Sequence, residues 1–185
     1  FYTTLDAIVS AHGGVVEQMV GDGLTAVWNG SLPCDQHAQK AVAAASVIWE
    51  QGVAQLPQGG SRKTPPLDIG IGIETGPVMV GSFGPARRRV HTVMGETVSV
   101  ASRLEKLTAE LGYPILLGPN LYTALNAHED DNSDPDNQAY KFQKLGDFLL
   151  AGMRAPRTVY ALPVNIDPSR LHLISGLDPE ISMIG

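Results

Sequence analysis

A single cysteine, Cys34, stands in the 185 residues, so the chain cannot close an internal disulfide, and a reducing compartment is the simple reading. No apolar run reaches the ~20 residues of a membrane span. No segment reads as a signal peptide. Charge is scarce as well: 17% of residues are charged and the formal net charge is −6. The basic footprint of a phosphate-backbone binder is therefore missing, which argues against a nucleic-acid partner. One small anion is still compatible, because local field matters more there than the total. Aromatics make up only 6%, and the strands lack the residues that stack bases in an RNA-binding ferredoxin-like domain. Methionine is missing ahead of Phe1, which falls inside a helical pattern, so a piece of a longer protein is expected. What remains is an ordinary globular composition, 43% hydrophobic, long enough for one domain with a sizeable core.

Periodicity divides the chain as follows. Phe1, Leu5, Ile8 and Val9 recur at helical spacing, and Gly13-Gly14 should end that helix. Val15–Val20 and Leu24–Trp28 form a hairpin. Asp35 can cap a long helix whose apolar face runs through Ala38, Ala41, Ala45 and Ile48. Gln55–Pro66 is a loop by composition. Leu67–Glu74 and Val78–Phe83 read as two strands turning at Gly76-Pro77, with a basic loop over Gly84–Arg89. A helix over Thr97–Leu111, a short strand at Pro114–Leu117 and a short helix over Asn120–Ala127 follow. His128–Asn137 is a polar acidic loop, and Tyr140–Leu145 with Thr158–Leu162 close the domain as a pair of strands. Hairpins and helices without strict βαβ alternation predict an α+β sandwich, an antiparallel-rich sheet with helices packed on it. The expected domain is 1–164, with a tail over 165–185.

Several motifs fail on inspection. GIGIETG, Gly70–Gly76, resembles a dinucleotide loop, but its glycines lie inside an alternating strand and another strand follows. Glycine in a strand more often lets another backbone come close. Asp130-x-Asn132-x-Asp134 mimics a calcium loop, yet Pro135 stands where glycine is required and Lys141 where glutamate is required. Asp35-x-His37 is too sparse for a metal site. Arg87-Arg88-Arg89 is more simply a solvated or interface-pairing loop.

Two places carry polar residues worth weighing. In VVEQMVGDGLTAVW, Val15–Trp28, the Asp22-Gly23 pair is a strong hairpin signal, because the tight turn needs positive φ at its centre. Asp22 is either turn chemistry or a ligand held at the tip of a rigid ribbon. In the helix from Thr97, Val100, Leu104, Leu107 and Leu111 share one face, while Ser99, Arg103 and Lys106 fall on a separate stripe. Periodicity alone makes that an amphipathic helix with a solvated Arg103.

Together, VVEQMVGDGLTAVW and RRRVHTVMGETVSVASRLE resemble the catalytic domain of class III adenylate and guanylate cyclases. The pattern there is a Gly-Asp turn between two strands, followed some 70 residues later by a block like His91–Glu105. GMRAPRTVYAL resembles the family's last strands, and DQHAQKAVAAA resembles its bacterial receptor-type branch. The resemblance spans Phe1 to about Leu162. It implies a ferredoxin-like sandwich whose first strand would precede Phe1, with the first metal-binding aspartate on it. It further implies attack of the ribose 3′-hydroxyl on the α-phosphate of ATP, with GTP as the alternative substrate, giving cyclic AMP and pyrophosphate. Two ions, Mg²⁺ or Mn²⁺, would assist. By position in these motifs, Asp22 is a metal ligand, Arg103 the transition-state arginine, Ser99 its companion, and Gln18 and Thr92 the purine-reading pair. The family works as a head-to-tail homodimer with interfacial sites, in signal transduction. The expected setting is a cytoplasmic domain, attached to a membrane, if at all, through regions outside this chain.

The chain departs from the family at named places. Ser99 replaces an asparagine, Gln18 a lysine, and Thr92 a residue that is aspartate in many adenylate cyclases. Ala151 stands where a phosphate-contacting lysine is common, with Arg154 near enough in sequence to substitute. These departures define the rival reading, a degenerate domain that binds nucleotide or serves only as a dimerisation partner.

Overall fold

A computed structural model describes residues 2–54, 69–127 and 141–164. The loops expected at 55–66 and 128–137, the calcium-like stretch from Asp130 and the tail over 165–185 lie outside or largely outside them. The chain divides into two compact units. The described residues of Phe1–Ile69 and Pro77–Glu96 make the first, and those of Gly70–Gly76 and Thr97–Gly185 make the second.

In the first unit, α1 (Tyr2–Ala11) buries Leu5, Ile8 and Val9, the spacing its sequence predicts. Gly13, at φ +75°, ends it. Its N–H donates to Ser10 O and that of Gly14 to Val9 O, both at 2.9 Å, the paired bonds of a Schellman motif. Gly14 has a second constraint, because the Trp28 indole lies where a Cβ would stand. Trp28 Nε1 donates to His12 O at 3.0 Å. Strands β1 (Val15–Val20) and β2 (Gly23–Val27) pair antiparallel, with a bulge between Val16 and Gln18. Helix α2 (His37–Ala54) buries Ala38, Ala41, Val42, Ala44 and Ala45. Gln36, at φ +55°, occupies the position before it and accepts from Lys40 N at 3.0 Å, so the helix begins two residues after the expected cap, Asp35. Strands β4 (Met79–Phe83) and β5 (Val90–Met94) form a second antiparallel ribbon.

The second unit holds β3 (Ile71–Ile73), α3 (Glu96–Leu111) from Thr97 on, β6 (Ile115–Leu117), α4 (Pro119–Asn126), β7 (Gln143–Phe148) and β8 (Arg157–Ala161). Its sheet runs β3-β6-β8-β7, parallel at β3–β6 and antiparallel elsewhere. Val100, Leu104 and Leu107 of α3 pack with Leu116, Leu150, Val159 and Ala161, and Leu111 lies against that cluster. Each side chain of leucine size fully buried there contributes about 1.5–3 kcal/mol. The close approach expected of the strand glycines is present: at Gly72 a Cβ would run into Ala101 O and Glu105 N of α3.

Glu74 follows β3 and anchors α4. Its Oε1 accepts from the N–H groups of Thr75 and Leu121, both at 2.9 Å. Gly118, the residue before α4, has no side chain to cap the helix, and a Cβ there would strike the Glu74 carboxylate. Burial pushes the Glu74 carboxyl above the ordinary glutamate value. The backbone hydrogen bonds from Thr75, Leu121 and Asn120 and the Arg157 charge oppose that shift without cancelling it.

The α+β class stands. Three local expectations do not. Gly76-Pro77 is no hairpin turn, since β3 pairs with β6 and β4 with β5, so the chain crosses there from one unit to the other. Val90–Met94 is a strand that lay unassigned between a basic loop and a helix. Strand β7 begins at Gln143, three residues beyond the expected Tyr140.

Candidate active site

In the first unit, Val20 pairs with Gly23, leaving Gly21 and Asp22 as the turn. This is one residue earlier than the Asp-Gly signal suggests. Gly21 carries the positive φ, +60°, and Asp22 does not. Glycine at the first central position is the type II′ pattern. The Tyr2 hydroxyl donates to Gly21 O and so ties the hairpin tip to α1. Asp22 is exposed at that tip, as a ligand would need to be.

Gln18, on β1, is exposed and stands opposite Thr25. Thr92, on β5, is half-buried and stands opposite Gly81. Residues that sequence reasoning passed over link these strands. The Glu17 side chain is only 3% exposed, and its Oε2 lies 3.5 Å from His91 Nε2, whose side chain is 56% exposed. Ser31 Oγ donates to Glu17 Oε1 at 3.4 Å. One signal could have found Glu17: with Gln18 it interrupts the apolar run Val15–Val20 just ahead of the hairpin tip.

In the second unit, Ser99 and Arg103 sit one turn apart on α3, both half-buried. Arg103 Nη1 donates to Ser99 O at 2.9 Å, which is the main-chain oxygen and not the hydroxyl. Arg103 Nε donates to Ala151 O, between β7 and β8. Gly152 follows at φ +75°, and a Cβ on it would come within 3.2 Å of Arg103 Nη2. The α3 arginine and the turn where the family's lysine is expected are thus in direct contact. Arg154 is exposed two residues farther on. The remaining site candidates divide between the units, with Gln18, Asp22 and Thr92 in the first and Ser99, Arg103 and Arg154 in the second.

A hard carboxylate such as Asp22 suits Mg²⁺ or Mn²⁺ by ligand type. Among the described residues, no three acidic, histidine or cysteine side chains gather into a metal site. Asp22 alone does not make such a site.

The model of the adenylate and guanylate cyclase catalytic domain matches residues 1–163. The chain belongs to this family. The cyclase domain is 34% identical over 116 residues to adenylate cyclase 1 of Rhizobium meliloti (strain 1021), covering 63% of the chain and 17% of that protein. It is 27% identical over 166 residues to the human guanylate cyclase soluble subunit beta-2, covering 90% of the chain and 24% of that protein. It therefore spans less than a quarter of these curated relatives. Among solved structures, a bacterial light-regulated adenylyl cyclase superposes with a TM-score of 0.68 at 24% identity, over 94% of the chain and 47% of that one. Adenylate and guanylate cyclases both stand among the relatives. Among the described residues of the cyclase domain, no helix is long and apolar enough to cross a membrane.

Proposed function

We propose that this cyclase domain converts ATP to cyclic AMP and pyrophosphate as part of a signalling protein. The observation that carries the reading is the family match over residues 1–163, a span that contains both the Gly21-Asp22 tip and Arg103. Asp22 would help to hold Mg²⁺ or Mn²⁺. A divalent ion there supplies charge that eases ionisation of the ribose hydroxyl and offsets charge on the departing pyrophosphate. Gln18 and Thr92 would read the purine edge, since an amide and a hydroxyl each donate and accept. Arg103 would meet the charge that develops on the α-phosphate, with Ser99 beside it as a lesser donor and Arg154 on the terminal phosphates.

The working form would be a head-to-tail homodimer, with Asp22 and Arg103 of each site from different subunits. Exposed apolar side chains favour a partner: Met79, Val90 and Met94 on the β4–β5 ribbon, with Met19 and Val20 on β1. A second reading, a non-catalytic partner domain, draws on Arg103, whose Nε and Nη1 are both engaged by main-chain oxygens of its own chain.

The deciding experiment is cyclic nucleotide production from ATP and from GTP, with Mn²⁺, by the full-length protein. Cyclic AMP formation above background supports the enzyme. No product from either nucleotide, with the dimer verified, leaves the partner reading.

A further inference from the structure

Glu17 is the extra residue of the bulge in β1: Val16 stands opposite Ala26 and Gln18 opposite Thr25, with no residue opposite Glu17. Bulges concentrate beside active sites, where they re-aim a side chain. The aim here is inward, with 3% of the Glu17 side chain exposed. A carboxylate buried that far is costly unless polar partners meet it. The partners are His91 Nε2 at 3.5 Å, on β5, and Ser31 Oγ at 3.4 Å, after β2. One carboxylate thus joins three segments of the first unit.

Each end of the bridge stands directly before a candidate for reading the base. Gln18 follows Glu17, and Thr92 follows His91. Thr92 leaves β5 on the face opposite His91, because side chains alternate along a strand. Gln18 is exposed although the Glu17 side chain beside it is buried. We propose that Glu17 and His91 are positioning residues that set the spacing of Gln18 and Thr92, and through it the choice between adenine and guanine. This rests on the reading of Gln18 and Thr92 given above. Neither Glu17 nor His91 has to touch nucleotide.

The test uses Glu17→Ala, His91→Ala, the double variant and Glu17→Gln, in the full-length protein. The ratio of kcat/KM for ATP to that for GTP is measured, together with Kd for both by competition against a fluorescent nucleotide. Each alanine variant is expected to move the ratio about tenfold, the scale of one or two hydrogen bonds. The double variant should move it no further than the larger single one, because both act through one contact. Glu17→Gln, which keeps an acceptor for Ser31 and a group facing His91, should retain most of the original ratio. His91 is half-exposed, so His91→Ala decides the matter even if Glu17→Ala fails to fold. A ratio unchanged within twofold, with both nucleotides weakened alike, would make the bridge a brace of the fold and overturn the proposal. If the parent protein binds nucleotide without turnover, the ratio of Kd values decides this inference while the enzymatic reading falls. A parent that neither binds nor turns over nucleotide overturns both.

Discussion

Asp22 sits second in a turn whose left-handed residue is Gly21. The backbone therefore demands no positive φ of position 22, although aspartate is a common companion of glycine in such a turn. Asp22→Ala should abolish metal-dependent cyclase activity while moving the melting temperature by no more than about 2–4 °C, the scale of a mild exposed substitution. Asp22→Asn separates the two roles, because asparagine suits the turn equally well but is a poorer ligand for a hard cation. Near-parental turnover of Asp22→Asn across a Mn²⁺ titration would return Asp22 to turn chemistry.

At the scale of elements, Glu74 makes the clearest prediction. Its carboxylate receives the first N–H groups of α4, where helix and anion favour one another. Glu74→Ala should cost about 1–3 kcal/mol, since those donors lose their acceptor. The pH dependence has a definite sign. The folded-state value is raised, so the folded protein holds this proton more tightly than the unfolded chain does. The contribution is fully present below the ordinary glutamate value and is lost as pH rises through the raised one. Urea unfolding at several pH values should show that slope in the parent and lose it in Glu74→Gln. A parallel slope in both proteins would assign it to other groups.

Elements with a strong local period were legible in advance. α3 carries Val100, Leu104 and Leu107 on one face, and those residues are buried. β5 was not legible, because His91 and Thr92 break its apolar run and its partner strand β4 lies across a basic loop. The pairing of β3 with β6 leaves no local mark either, since the partner is about forty residues away and supplies backbone rather than pattern. The site shows the same division. The short motifs put Asp22 at a hairpin tip and Arg103 on a helix, and the structure has them there. The Glu17–His91 approach and the seat of Arg103 on Ala151 depend on long-range packing and cannot be read from sequence.

For the whole molecule, the test is complementation. Asp22→Ala and Arg103→Ala should each be nearly inactive in a homodimer whose sites draw one residue from each subunit. A two-fold dimer has two equivalent composite sites. In a mixed dimer, one site regains both residues and the other lacks both. Random exchange makes about half the dimers mixed, so activity should return to roughly a quarter of the parental value. Verified exchange with no recovery would place both residues in one chain's site.

The crossing of the chain between units at Gly76-Pro77 bears on how the protein is made. Strand β3 leaves the ribosome well before β6, its hydrogen-bonding neighbour, and the intervening chain returns to the other unit first. At ~5–20 residues per second, about forty residues take roughly 2–8 s to synthesise. Through that interval the nascent β3 carries backbone groups whose strand partner is not yet made, so a chaperone that holds extended chain would find its grip there during translation.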